Sequence, residues 1–176
     1  MSRVRGIRGW RLLPGAVLVL LVASALAGVA WSSWAEPGRW QVTDQGVVLT
    51  QEASQGQFGV EVLFVGIGVG LCLVWGLFVG VLGRALGWSI VPVAAVGAAL
   101  ASLVAWQVGV SLGPPDPQTV QDLSLGDTFP DQLAVSSFSS FVAWPVAALG
   151  GVVVGLLLTV DRTALAERPG EETSPA

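Results

Sequence analysis

Histidine, lysine and tyrosine are absent from this chain of 176 residues, and cysteine and methionine occur once each. These gaps exclude a good deal. Without His, Lys or Tyr, most general bases and soft metal ligands are missing. With Cys72 alone, no intramolecular disulfide can form and no dithiol redox chemistry is available. Cys72 reads as a small apolar residue within a span. Charge is equally scarce: only 11% of residues are charged, against 53% hydrophobic, whereas soluble domains carry about a quarter charged residues.

The chain holds long apolar runs instead. Four stretches, Leu12–Trp31, Phe58–Leu82, Ile90–Leu112 and Phe138–Val160, account for the excess. Each approaches the ~20 residues a helix needs to cross the hydrocarbon core. Backbone polar groups in lipid must pair within the segment, and the alternation of a barrel strand is missing, so the spans are predicted to be helices. The expected fold is an all-α membrane protein, a bundle of four transmembrane helices over residues 1–162. Residues 163–176, with Pro169, Gly170, Glu171, Glu172 and Pro175, are expected to be a disordered cytoplasmic tail.

Arginine sets the orientation. Arg3, Arg5, Arg8 and Arg11 precede the first span, Arg84 lies between the second and third, and Arg162 and Arg168 follow the fourth; Arg39 alone lies in the other two loops. By the positive-inside rule both termini are expected in the cytoplasm, with loops 32–57 and 113–137 extracytoplasmic. The outer loops are acidic, carrying Glu36, Asp44, Glu52, Asp116, Asp122, Asp127 and Asp131. Trp31, Trp34, Trp106 and Trp144 near outer ends, with Trp10 and Trp88 near inner ends, fit an aromatic belt. Arginine in place of every lysine, with 23 glycines, points to a GC-rich bacterial genome and hence a cell envelope. A rival reading makes the first span a cleaved signal peptide cut after Ala25-Leu26-Ala27. Against it, the apolar run continues to Trp31.

The short segment Gly83-Arg84-Ala85-Leu86-Gly87 predicts a tight antiparallel hairpin of spans two and three. In the first outer loop, β-prone runs at 39–43 and 47–50 flank a turn ending at Gly46, the pattern of a small β-hairpin. The second loop opens on Gly113-Pro114-Pro115-Asp116-Pro117, a stiff exit from a helix.

Packing signals are plentiful. In lipid, helices associate largely through close approach at small residues. Span three has Gly97, Ala101, Ala105 and Gly109 at spacing four; span four has Ala143, Ala147, Gly151 and Gly155. Span two offers Gly66/Gly70 and Gly76/Gly80, and span one Ser24/Gly28. These rows are expected to mark helix contacts. Against that, glycine and alanine are common in membrane helices, so any one pair is weak.

The segment Gln107-Val-Gly-Val-Ser-Leu-Gly-Pro-Pro-Asp116, closing one span, and Trp144-Pro145-Val-Ala-Ala, opening another, resemble a family of four-helix actinobacterial membrane proteins of unknown function. The resemblance implies a plasma-membrane location and brings no activity, ligand or catalytic residue.

Chemistry is thin by comparison. The loop aspartates do not match a calcium-binding loop, and Gly66-x-Gly68-x-Gly70 lies inside a span, where it cannot cradle a phosphate. The few arginines at the membrane face give no support to nucleic-acid binding. No catalytic residue, cofactor or metal ligand is expected. Glu61, the only ionisable side chain within a span, is expected to pair with Gln107 at similar depth on span three; the plainer alternative has it reaching to interfacial water. Three functions follow, in order of preference. The first is a non-enzymatic membrane protein that packs with itself or a membrane partner. The second is a small transporter or channel subunit using Glu61. The third is an enzyme subunit acting through loop carboxylates.

Overall fold

Apolar runs of span length are helical throughout in the computed structural model, which describes residues 2–36, 38–43, 46–49, 51–114, 128–130 and 132–166. In chain order these form α1 (Ser2–Trp34), β1 (Arg39–Thr43), β2 (Gly46–Leu49), α2 (Gln51–Gly83), a 3₁₀ segment (Arg84–Ser89), α3 (Ile90–Leu112), β3 (Thr128–Pro130) and α4 (Phe138–Ala166). Among the described residues, four segments are long and apolar enough to cross a membrane: Leu13–Trp34, Phe58–Gly83, Gly87–Leu112 and Phe138–Thr159. At 33 residues each, α1 and α2 are roughly 50 Å long at ~1.5 Å per residue, well over the ~30 Å hydrocarbon core. Each is therefore longer than a crossing of the hydrocarbon core requires. α4 runs past Arg162 to Ala166 and through Pro145; of the tail expected over 163–176, residues 167–176 lie outside the described residues.

Outside the spans, β1 lies between β2 and β3 in one small antiparallel sheet. Thr43 faces Gly46 and Trp40 faces Leu49 on one side of β1; Trp40 faces Phe129 on the other. The sheet ties the α1–α2 connection to the α3–α4 connection.

The spans pair in an order that departs from the expected hairpin. α2 packs chiefly along α4, α1 chiefly along α3, and α2 touches α3 sparingly. Both main pairs are parallel, since contacts advance together: Gly76 lies against Ala148 and Gly80 against Val152, while Gly28 lies against Ala105 and Gly109 against Trp31. The 3₁₀ segment lets consecutive helices diverge. Gly87 within it has φ 57° and ψ −138°, a conformation open in practice only to glycine.

Small residues account for this choice of partners. Across α2–α4, a Cβ on Gly76 would overlap the Ala148 carbonyl, one on Gly80 would lie 2.6 Å from the Val152 oxygen, and one on Gly155 2.5 Å from the Leu77 oxygen. Backbone thus meets backbone along two turns of each helix, which gives dense dispersion contact without a hydrophobic driving force. Across α1–α3, Ala101 and Ala105 are buried, and Ser24 and Ser102 are buried with their hydroxyls bonded to their own helices at Leu21 and Ala99. α1 and α2 are joined differently. Trp31 Nε1 donates to the Val60 carbonyl at 2.9 Å near one end, and Trp75 Nε1 to the Ala16 carbonyl at 2.9 Å near the other.

Candidate functional site

One ionisable side chain within the spans makes described polar contacts, and it does so between α2 and α4. Glu61 stands one turn into the second span, where the parallel packing brings it beside the start of α4. Its Oε1 accepts the backbone N–H of Ser137 at 2.9 Å and the hydroxyl of Ser140 at 2.9 Å. Ser137 is the residue before α4, and Ser140 the third within it. A helix leaves its first N–H groups without internal partners. In a capping box, a glutamate at the third helical position reaches back to the capping residue's N–H. α4 has serine there, and Glu61 does the same work from a neighbouring helix. Its negative charge also meets the positive end of the α4 dipole, a contact typically worth ~0.3–1 kcal/mol.

The expected Glu61–Gln107 pair does not form. Gln107 is exposed on α3, and Glu61 is engaged with α4. The expectation assumed that helices adjacent in sequence pack together; the closer fit of α2 to α4 decides otherwise. Serines at 137 and 140, three apart at a helix start, were the signal that sequence reading passed over.

Beside Glu61, a groove of about 500 Å³ is lined by one face of α2 and by the first residues of α4. Glu61, Ser137 and Ser139 form its head, and Val62, Gly66 and Val69 line its length. The Ser137 and Ser139 hydroxyls share a hydrogen bond. Gly66 and Gly70, expected at a helix contact, are exposed, with nothing within 4 Å of a Cβ built on either. They stand on the outer face of α2; Gly68, two residues on and so ~200° round the helix, faces inward.

The remaining small residues sit inside. Gly97 lies against the Trp75 ring and Val17, Gly109 under the Trp31 ring, and Gly151 and Gly155 on the α2 backbone; Ala101, Ala105 and Ala147 are buried. Gly68, weighed in the sequence only as part of a glycine run and not as a packing residue, lies directly under the Trp144 indole, which any Cβ would strike.

Aromatic rings close the bundle axis at the level of the groove. Phe64 of α2 lies 5.1 Å from Trp31, 5.6 Å from Phe141 and 5.2 Å from Trp144, centroid to centroid, and Trp106 lies 6.0 Å from Phe141. All four helices contribute. Trp31 and Trp144 are therefore core residues and not part of an interfacial belt, whereas Trp34 and Trp88, 68% and 90% exposed, are free to anchor at an interface. The Trp144 Nε1 is buried without a partner among the described residues, a cost of ~1–3 kcal/mol set against its stacking on Phe64. Among the described residues, no three metal-ligating side chains come together.

Comparison with protein families, curated proteins and solved structures finds no match to this chain.

Proposed function

We propose that this protein is a non-enzymatic integral membrane protein of the bacterial cell envelope, with both termini cytoplasmic, that packs with itself or with a membrane partner. The aromatic cluster around Phe64 carries the reading. It fills the axis where a transport path through a single copy would run, and the one described carboxylate within the spans is committed to capping α4. The apolar outer faces of α1 and α2, including Leu18, Val22, Leu26, Val74 and Phe78, are left exposed by the bundle for lipid or a partner. Kinship with the four-helix actinobacterial proteins is part of the same proposal. Photo-crosslinking in native membranes, followed by mass spectrometry, is expected to return one constant protein partner or a self-crosslink. Ion or solute flux in liposomes that is lost on Glu61→Gln would instead establish the transporter reading.

Orientation has its own test. In a Cys72→Ala background, cysteines at Gly46 or Asp127 are expected to react with an impermeant maleimide from outside intact cells. Cysteines at Arg84 or Thr173 should react only after permeabilisation. The opposite pattern would invert the topology inferred from the arginines.

A further inference from the structure

We propose that the groove beside Glu61 is a binding site for one phospholipid whose headgroup carries a primary ammonium. The inference rests on the helices spanning a bilayer, and not on the scaffold role.

Three observations identify the occupant. The first is charge. Glu61 uses Oε1 for both contacts to α4, which leaves Oε2 without a hydrogen bond among the described residues, and Glu61 lines the groove's head together with Ser137 and Ser139. A carboxylate offers about four acceptor positions. One anionic oxygen beside two hydroxyls matches an ammonium beside a phosphate ester: the ammonium donates to Oε2, and of the two serine hydroxyls, which share one hydrogen bond, the one whose proton is left free donates to a phosphate oxygen. The second is depth. Glu61 and Ser140 lie within a turn of the start of their spans, the level at which headgroups meet the hydrocarbon. The third is length. From Glu61 to Val69 is eight residues, roughly 12 Å at ~1.5 Å per residue, close to the ~15 Å that one leaflet contributes to the core. A partner helix would run on across the bilayer, whereas this groove ends near the midplane, as an acyl chain does. Gly66 makes the dent: its missing side chain is the floor on which the chain lies, and no packing neighbour within the bundle accounts for a glycine there.

Native mass spectrometry of the detergent-solubilised protein, offered equal phosphatidylethanolamine and phosphatidylglycerol, reads this directly. The wild type is expected to retain one phosphatidylethanolamine in preference. Glu61→Gln should keep the α4 cap while lowering that preference about fivefold, the equivalent of a single exposed ion pair. Gly66→Leu should fill the groove and reduce retention of both lipids, with Val153→Leu, on the lipid face of α4, unchanged. Replacing phosphatidylethanolamine by phosphatidylcholine in the wild-type experiment removes the donor without any mutation, and should also abolish the preference. Equal retention of all three lipids by the wild type overturns the proposal. So does a full preference surviving in a Glu61→Gln protein of wild-type melting temperature. Release of the protein from membranes by alkaline extraction would overturn the membrane reading itself.

Discussion

Gly151→Ala, the addition of one methyl group, is expected to lower the melting temperature in detergent clearly, and Gly151→Leu more so. At Gly151 a Cβ would overlap the Leu73 carbonyl oxygen and sit 2.7 Å from the Leu77 nitrogen. Both are backbone atoms of α2, which cannot turn aside as a side chain can, so the helices must separate. Overpacking of this kind costs ~1–3 kcal/mol. Separation also thins the neighbouring contacts at Gly76, Gly80 and Gly155, which places the effect toward the upper end. Ala105→Leu should act in the same direction on α1–α3, where Ala105 is 1% exposed and its carbonyl lies under Gly28. Gly70→Ala is the control. It has open space around it, and exchanging glycine for alanine favours the helix by up to ~1 kcal/mol. Equal melting shifts for Gly151→Ala and Gly70→Ala would show that the small residues reflect composition alone.

Phe64→Ala should be the most damaging single truncation. Phe64 is 1% exposed and its ring contacts those of Trp31, Phe141 and Trp144. Phe→Ala in a core costs ~3–5 kcal/mol. Part of that figure is transfer from water, which is smaller here because the separated helices remain in lipid; the cavity and lost ring contacts remain. A loss of about 3 kcal/mol is expected, with a collapse of the near-ultraviolet circular dichroism from the clustered tryptophans. Phe64→Leu should recover much of the stability and little of the dichroism. Unchanged melting and dichroism in Phe64→Ala would mean that the cluster does not hold the bundle together.

The four spans could be read from the sequence because hydropathy and length belong to each segment by itself. Span boundaries agree with the helical apolar segments to within about three residues. Partner choice was harder to read. On α2, Gly66/Gly70 and Gly76/Gly80 carry the same spacing, and only the position of α4 distinguishes the inward pair from the outward one. The line Phe64, Gly68, Cys72, Gly76, Gly80, every fourth residue and all buried, is visible in the sequence, but it mixes ring, thiol and hydrogen side chains and does not look like a row. Glu61 was singled out for its rarity, whereas its partner was misjudged because loop length was taken as a guide to packing. Tryptophans within a turn or two of a span end looked interfacial; Trp31 and Trp144 turn inward because glycines at 109 and 68 make room for indoles.

The pairing of first with third and second with fourth has a consequence for how the chain is made. Each helix enters the membrane in order of synthesis, so α2 arrives long before the surface it fits. At translation rates of ~5–20 residues per second, the glycine face of α2 waits on the order of ten seconds for α4 to emerge. During that interval α1 and α2 are joined mainly by their two indole hydrogen bonds, and backbone that the finished bundle covers is turned toward lipid. A nascent chain halted after α3 is thus a poorly closed species, with Gly76 and Gly80 unmatched and Phe64 lacking two of its three rings. Quality-control proteases that read loosely packed membrane helices would find their substrate there, in the unfinished chain and not in the completed one.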